Sequence, residues 1–203
     1  MSHSPSDRLP AATLPLRVHP SEQGPAGLRI SVSLAPVDAD EGPGWLLRYR
    51  LEGDIEALAI PSPAVGAADG LWRHTCLEAF VQDGDGPGYH EFNLSPSGQW
   101  AVYRFSGERQ RMPGDTTLPA GPTITTERSA DSLVLQAWLP CTQLPARPTV
   151  IGLSAVIETL DGQISHWALH HPRADRPDFH HSAGWTLRPA PAIAPPAPAP
   201  PSA

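Results

Sequence analysis

Hydrophobic and polar residues alternate with a period of two along most of this chain, which is typical of half-buried β-strands. In the segment 28–37, for example, Leu28, Ile30, Val32 and Leu34 all fall on one side. No segment sustains an apolar repeat of 3.6 residues, so we expect little helix. The strand-like runs are short and are separated by turns rich in glycine and proline. The pattern predicts an all-β fold, an antiparallel β-sandwich of about ten strands.

The alternation also marks out individual strands along the chain. The runs that it marks as strands are 14–18, 28–37, 45–51, 58–61, 71–82, 89–94, 99–105, 124–128, 132–139, 150–160, 163–169 and 184–188. At 203 residues the chain is long enough for one domain with a substantial core. We expect a loose N-terminal arm over residues 1–25, a sandwich domain over 26–189 and a disordered Pro/Ala tail over 190–203.

The segment from Leu71 to Phe105 carries the most chemistry, because ionisable groups stand at positions where a plain sheet keeps apolar ones. A four-residue loop over 95–98 would place Glu91 and Arg104 as diagonal neighbours on one sheet face. The same alternation would align Trp72 with further polar residues of the preceding run. The candidate ligand-binding residues are Trp72, His74, Glu78, Glu91, Asn93, Trp100 and Arg104.

These residue types suit a saccharide. Indole rings such as those of Trp72 and Trp100 can lie against the C–H face of a pyranose, while carboxylates, amides and guanidinium groups bond its hydroxyls. The structural alternative is that Glu91 and Arg104 form an ion pair covered by packing tryptophans. A hydrolytic role for Glu78 and Glu91 has no supporting motif, so we predict a non-enzymatic protein with no catalytic residues.

Two histidine pairs, His170/His171 and His180/His181, flank a segment that contains Asp175 and Asp178. Adjacent residues on a strand point to opposite faces, so only one histidine of each pair can easily face the same metal ion. The spacing matches no zinc template. We therefore predict a loop held by His–Asp hydrogen bonds and no metal site.

Composition narrows the class of partner. The net charge is −7 and all 14 basic residues are arginine, which argues against nucleic acid or an anionic membrane. The N-terminus lacks the pattern of a secretory signal, and no run approaches the ~18 apolar residues of a membrane span. Cys76 and Cys141 are therefore expected to be reduced and buried in a cytoplasmic protein.

Four blocks of the sequence, LWRHTCLEAF, YHEFNLSPSGQWAVYRF, HWALHHP and PDFHH, resemble the bacterial DOMON-like proteins, distant relatives of the family 9 carbohydrate-binding modules. The resemblance spans roughly residues 28 to 188. It implies a β-sandwich whose concave face holds either a sugar or haem. Haem-binding DOMON domains use Met and His axial ligands, and the only internal methionine here is Met112.

These observations favour a sandwich that binds a small polar ligand, most simply a saccharide, without a cofactor. The alternatives are a haem- or redox-cofactor-binding domain and a protein-interaction module with no small ligand. The sequence does not indicate the oligomeric state.

Overall fold

A computed structural model describes residues 12–39, 42–113 and 121–189. These residues form eleven β-strands and two short 3₁₀ helices, η1 (Leu71–Arg73) and η2 (Ser182–Gly184), with no α-helix among them. The strands are β1 (Leu14–Val18), β2 (Arg29–Ala39), β3 (Gly42–Glu52), β4 (Gly66–Ala67), β5 (Cys76–Asp83), β6 (Tyr89–Leu94), β7 (Gln99–Phe105), β8 (Thr123–Arg128), β9 (Ser132–Pro140), β10 (Pro148–Glu158) and β11 (Ile164–Ala168). The all-β prediction is confirmed.

The strands form one curled sheet in the order β4-β7-β6-β5-β10-β11-β1-β2-β3-β9-β8. Strand β1 joins its two halves, because Leu14–Leu16 pair with β2 while Arg17 and Val18 pair with β11. The β4–β7 pairing is parallel and every other strand pairing of the described residues is antiparallel. The predicted antiparallel sandwich is thus approximately right, but its two layers belong to one mixed sheet.

The core lies between the two halves of the curled sheet. Side chains that alternate inward from β3 and β9 meet those from β5, β6 and β10, and include Leu47, Leu135, Val81, Phe92 and Leu153. All five are at least 98% removed from solvent, and burial on this scale is the main stabilising contribution to such a fold. The opposite face of β5–β7 carries a second apolar cluster, which leads to the candidate site.

Three of the predicted strands are wrong in whole or in part. Residues 58–61 make only an isolated bridge, between Leu58 and Thr159, and residues 184–188 only one between Leu187 and Ile151. The run 71–82 begins as helix η1, because Gly70 takes a left-handed conformation (φ 75°) that turns the chain before β5. Trp72 and His74 therefore do not share a strand with Glu78.

The hairpin of β6 and β7 also differs from its prediction by one residue. Ser95 N–H donates to Gln99 O, so the loop has three residues, Pro96 to Gly98, and Gly98 adopts a φ of +100°. A three-residue loop of this kind is a common hairpin connection that favours glycine at its end. A slip of one residue moves every side chain of a strand to the other face. Trp100 and Arg104 consequently face away from Glu91.

Strand β1 lies within the predicted loose arm but is an integral part of the sheet. The proposed division of the chain at residues 26 and 189 remains a prediction, and residues 1–11 and 190–203 lie outside the described part. No helix within the described ranges is long and apolar enough to cross a membrane. Both cysteines are free, and whereas Cys76 is buried as expected, Cys141 is exposed.

Candidate ligand-binding site

A cavity of about 420 Å³ opens on the face of β5, β6 and β7 that points away from the core. We call it the aromatic cavity, because five of its lining side chains are aromatic rings from separate parts of the chain. Its lining residues are Trp72, Glu78, Phe80, Glu91, Tyr103, Phe105, Arg109, Arg111, Val156, His166, Pro177, Phe179 and His180.

The strand register brings the floor of the cavity together. Glu91 on β6 lies directly between Phe80 on β5 and Tyr103 on β7. Glu78 is two residues before Phe80 on the same strand, so its side chain points to the same face. The floor is thus a patch of two carboxyl groups and two rings that alternate across three adjacent strands.

Both carboxyl groups are buried, with residue exposures of 2% for Glu78 and 5% for Glu91. Asn93 Nδ2 donates to Glu91 Oε1 over 2.6 Å, and Ser154 Oγ donates to Glu78 Oε2 over 3.1 Å. Cys76 lies behind the amide, with its Sγ 3.5 Å from Asn93 Oδ1. One oxygen of each carboxyl is therefore fixed by a hydrogen bond.

Burial disfavours the charged form of both groups. Burial raises the pKa of Glu91 to about 7, although the Asn93 hydrogen bond and the guanidinium groups of Arg111 and Arg109 act in the opposite direction. Burial, and after it repulsion from Glu91, raise the pKa of Glu78 well above its usual range. The raised pKa values favour the protonated form of each carboxyl, and a protonated carboxyl can donate as well as accept hydrogen bonds.

Aromatic rings form the walls. The ring of Trp72, presented by η1, meets Tyr103 edge to face with centroids 5.9 Å apart. The guanidinium of Arg111 lies 4.0 Å from the centroid of the Tyr103 ring, and the Tyr103 hydroxyl donates to Asp69. Trp72 is 38% exposed, so part of its indole surface remains available at the mouth. An exposed flat ring beside buried polar groups is typical of a ligand-binding surface.

The segment between β11 and η2 covers the far side of the cavity. His180 Nδ1 lies 2.6 Å from the Tyr89 hydroxyl, and Arg109 donates to the buried Asp178 over 2.8 Å. His180 Nε2 is 3.8 Å from Glu91, but burial lowers the pKa of His180 to about 4, so this contact is not an ion pair at neutral pH. Trp185 Nε1 donates to the carbonyl of Phe179, which fixes the segment over the sheet.

Three of the seven predicted site residues line the aromatic cavity, namely Trp72, Glu78 and Glu91. Asn93 lies behind the lining and orients Glu91. The other three are placed elsewhere. His74 binds Glu158 at 2.8 Å beside a separate depression, Trp100 belongs to the core, and Arg104 lies opposite His90 on the other sheet face. An ion pair between Glu91 and Arg104 is therefore excluded.

Loops contribute further residues to the cavity that the alternation of the sequence does not predict. Arg109 and Arg111 lie in the loop after β7, and Phe179 and His180 belong to the block PDFHH. That block was visible as a motif, but nothing in its spacing indicates which ring would turn inward. Arg109 has a φ of +55°, an uncommon conformation for a residue other than glycine, and such residues concentrate at functional sites.

The histidine-rich segment is held by other bonds than those predicted. His171 Nε2 lies 2.8 Å from the carbonyl of Arg17, and His181 accepts from the amide of Ala183 in η2. Asp175 pairs with Arg173, and Asp178 with Arg109. Within the described residues no group of three or more His, Cys, Asp or Glu side chains could hold a metal ion.

The cavity does not offer the Met–His pair that a haem-binding DOMON domain uses. Met112 is 46% exposed and is not among the lining residues. The two histidines of the lining are both engaged, His180 with Tyr89 and His166 with Glu22 at 2.9 Å. Within the described residues, the cavity thus brings no methionine together with a histidine.

No protein-family model matches this sequence, and no curated protein matches it either. Among solved structures, a candidate carbohydrate-binding protein from Bacteroides uniformis matches with a TM-score of 0.63 and 16% identity, over 89% of this chain and 87% of that one. This similarity shows the fold. It agrees with the fold that the sequence resemblance implied, while membership of the DOMON-like proteins stays a prediction.

Two structures of a family 9 carbohydrate-binding module from Caldicellulosiruptor kristjanssonii also match. The complex with cellotriose has a TM-score of 0.47 and 9% identity, over 86% of this chain and 77% of that one. The complex with glucose has a TM-score of 0.42 and 10% identity, over 89% and 88%. Both likenesses are too distant to bear on the site.

Proposed function

We propose that this protein binds a saccharide in the aromatic cavity and performs no reaction on it. The observation that carries the proposal is the placement of flat aromatic rings beside two buried carboxyl groups in one cavity. A neutral sugar presents two kinds of surface, C–H faces that pack on rings and hydroxyls that both donate and accept hydrogen bonds. The cavity offers a partner for each.

The dimensions agree with a small saccharide. Small-molecule sites commonly enclose about 300–1,000 Å³, and the aromatic cavity at about 420 Å³ falls near the lower end. Trp72 would pack on the face of a sugar ring at the mouth. Glu78 and Glu91 would bond hydroxyls at the floor, and Arg111 would donate from the side. The Bacteroides uniformis structure of the same fold is described as a candidate carbohydrate-binding protein, which supports this assignment.

The proposal of binding without chemistry rests on the sequence, which contains no hydrolase motif. A glycosidase uses one protonated and one ionised carboxyl, so the fate of a bound oligosaccharide tests this part of the proposal. We expect a bound oligosaccharide to be recovered intact after prolonged incubation, as judged by chromatography of the products.

A glycan array followed by calorimetry tests the proposal. We expect at least one saccharide class to bind, and Trp72→Ala to weaken its binding by about tenfold, since a stacked ring contributes roughly 1 kcal/mol beyond its buried area. Trp138→Ala is the matched control, because Trp138 is a partly exposed indole on β9 outside the cavity. Equal losses in both variants would contradict the proposed site. Failure of every saccharide to bind would favour a protein-interaction module.

A further inference from the structure

We propose that the saccharide held by the aromatic cavity carries a positively charged amino group, which binds between Glu78 and Glu91. This inference rests on the proposed function and specifies the chemical class of its ligand. It follows from the charges that face the cavity, from the burial of the two carboxyls and from the rings around them.

The cationic groups of the cavity already have anionic partners. Arg109 pairs with Asp178 at 2.8 Å, and Arg111 lies 3.7 Å from Asp69 while it covers the Tyr103 ring. Among the histidines, His166 pairs with Glu22, and His180 is hydrogen-bonded to the Tyr89 hydroxyl. Every arginine and histidine among the lining residues of the cavity thus already has a partner.

Neither carboxyl is hydrogen-bonded to an arginine within the described residues, although the guanidinium groups of Arg111 and Arg109 favour the charged form of Glu91 from further away. Glu91 is bonded by the amide of Asn93 and approached at 3.8 Å by His180, while Glu78 is bonded by the hydroxyl of Ser154. The remaining Oε1 of Glu78 accepts no hydrogen bond from the described residues, although the side chain is buried and lines the cavity. The other titratable neighbours on this face are Cys76, Tyr89 and Tyr103, which add no positive charge.

A buried carboxylate without a close cation is costly, and burial accordingly raises the pKa of both Glu78 and Glu91. An ammonium group entering the cavity would provide the missing positive charge and three hydrogen-bond donors. It would favour the ionised form of the carboxyls, because its positive charge would compensate the negative charge that a bound proton otherwise compensates. Binding of an amino sugar should therefore release protons to the solvent.

The rings favour the same ligand. The negative face of an aromatic ring attracts a cation within about 6 Å, and the attraction is stronger where water is excluded. Phe80 lies beside Glu91 on the floor, while Trp72, Tyr103 and Phe179 surround the same space. Rings and acidic groups together are the usual means by which proteins hold ammonium ligands, whereas a neutral sugar needs only the rings and hydrogen bonds.

Calorimetry with glucosamine, glucose and N-acetylglucosamine distinguishes the two cases. The titrations are run at pH 6.5 in two buffers of different ionisation enthalpy, which reports the protons released. We expect glucosamine to bind at least about tenfold more tightly than the two neutral sugars, the ratio that 1.4 kcal/mol provides. We also expect it to release a substantial fraction of one proton, while the neutral sugars release almost none.

Glu91→Gln should remove the preference for glucosamine and most of the proton release. Glu158→Gln is the matched control, because Glu158 pairs with His74 outside the cavity. Should Glu91→Gln not fold, Glu78→Gln provides the same test, and the comparison of sugars on the unaltered protein stands without either variant.

Equal affinity for glucosamine and glucose, or tighter binding without proton release, would overturn this inference and leave saccharide binding intact. If no sugar, charged or neutral, binds to the protein, the proposed function itself fails, and the inference fails with it.

Discussion

Replacement of Glu91 by glutamine should change the pH dependence of stability in a specific direction. Burial raises the pKa of Glu91 from its ordinary value of 4.5 to about 7. The folded protein therefore binds this proton more tightly than the unfolded chain does. The resulting stabilisation is fully present below pH 4.5 and is lost as the pH rises through about 7. Glutamine retains the shape and the acceptor for Asn93 but does not titrate.

The size of the effect follows from the shift. A rise from 4.5 to about 7 corresponds to roughly 3 kcal/mol between the two protonation states. As the pH rises from 4.5 to 8, the wild type should therefore lose about 3 kcal/mol of unfolding free energy that Glu91→Gln does not lose. The variant should be the more stable of the two at pH 8, because the wild type must then bury a carboxylate.

Urea unfolding at several pH values between 4.5 and 8 measures this difference. Glu127→Gln, on the exposed face of β8, is the control and should follow the wild type throughout. A loss of more than about 3 kcal/mol by Glu91→Gln at pH 8 would refute the reasoning, since it would mean that a structural partner holds the carboxylate in its ionised form. A difference that does not change with pH would refute it equally.

Three further predictions concern the fold and the cofactor. Gly152→Ala should destabilise the protein by about 1–3 kcal/mol in urea unfolding, because its Cβ would lie 2.1 Å from Trp185 Cδ1, whereas Gly86→Ala, with no atom closer than 3.9 Å, should be nearly neutral. Deletion of residues 190–203 should leave the melting temperature unchanged, as their Pro/Ala composition predicts, and a large drop would contradict that prediction. Titration with haem should produce no Soret band, and a stable band would revive the cofactor alternative.

The alternation of residues was sufficient to predict most of the sheet. The observed β6 and β7 have the predicted bounds, and β8 to β11 differ from theirs by no more than a few residues. The alternation also places Glu91 and Asn93, two residues apart, on one face of β6. These features depend only on local sequence, which explains why they could be read without a structure.

The rest of the site depends on details that alternation does not contain. A loop of three rather than four residues after β6 moved Trp100 into the core and placed Tyr103 beside Glu91. The turn at Gly70 detached Trp72 from β5 yet brought its ring to the cavity. Arg109 and His180 come from a loop and a segment that tertiary contacts position, such as the ion pair between Arg109 and Asp178. No periodic pattern in the sequence predicts such a contact.

The central claim, that the aromatic cavity binds a saccharide, is tested most directly by the indole N–H signals of the protein. Its six tryptophans give six resonances in an ¹⁵N-correlated spectrum, and single Trp→Phe variants assign them. On titration with the saccharide found by the array, we predict that the Trp72 resonance shifts to saturation while that of Trp138 stays in place. Saturable shifts at Trp138 with Trp72 unmoved would contradict the account.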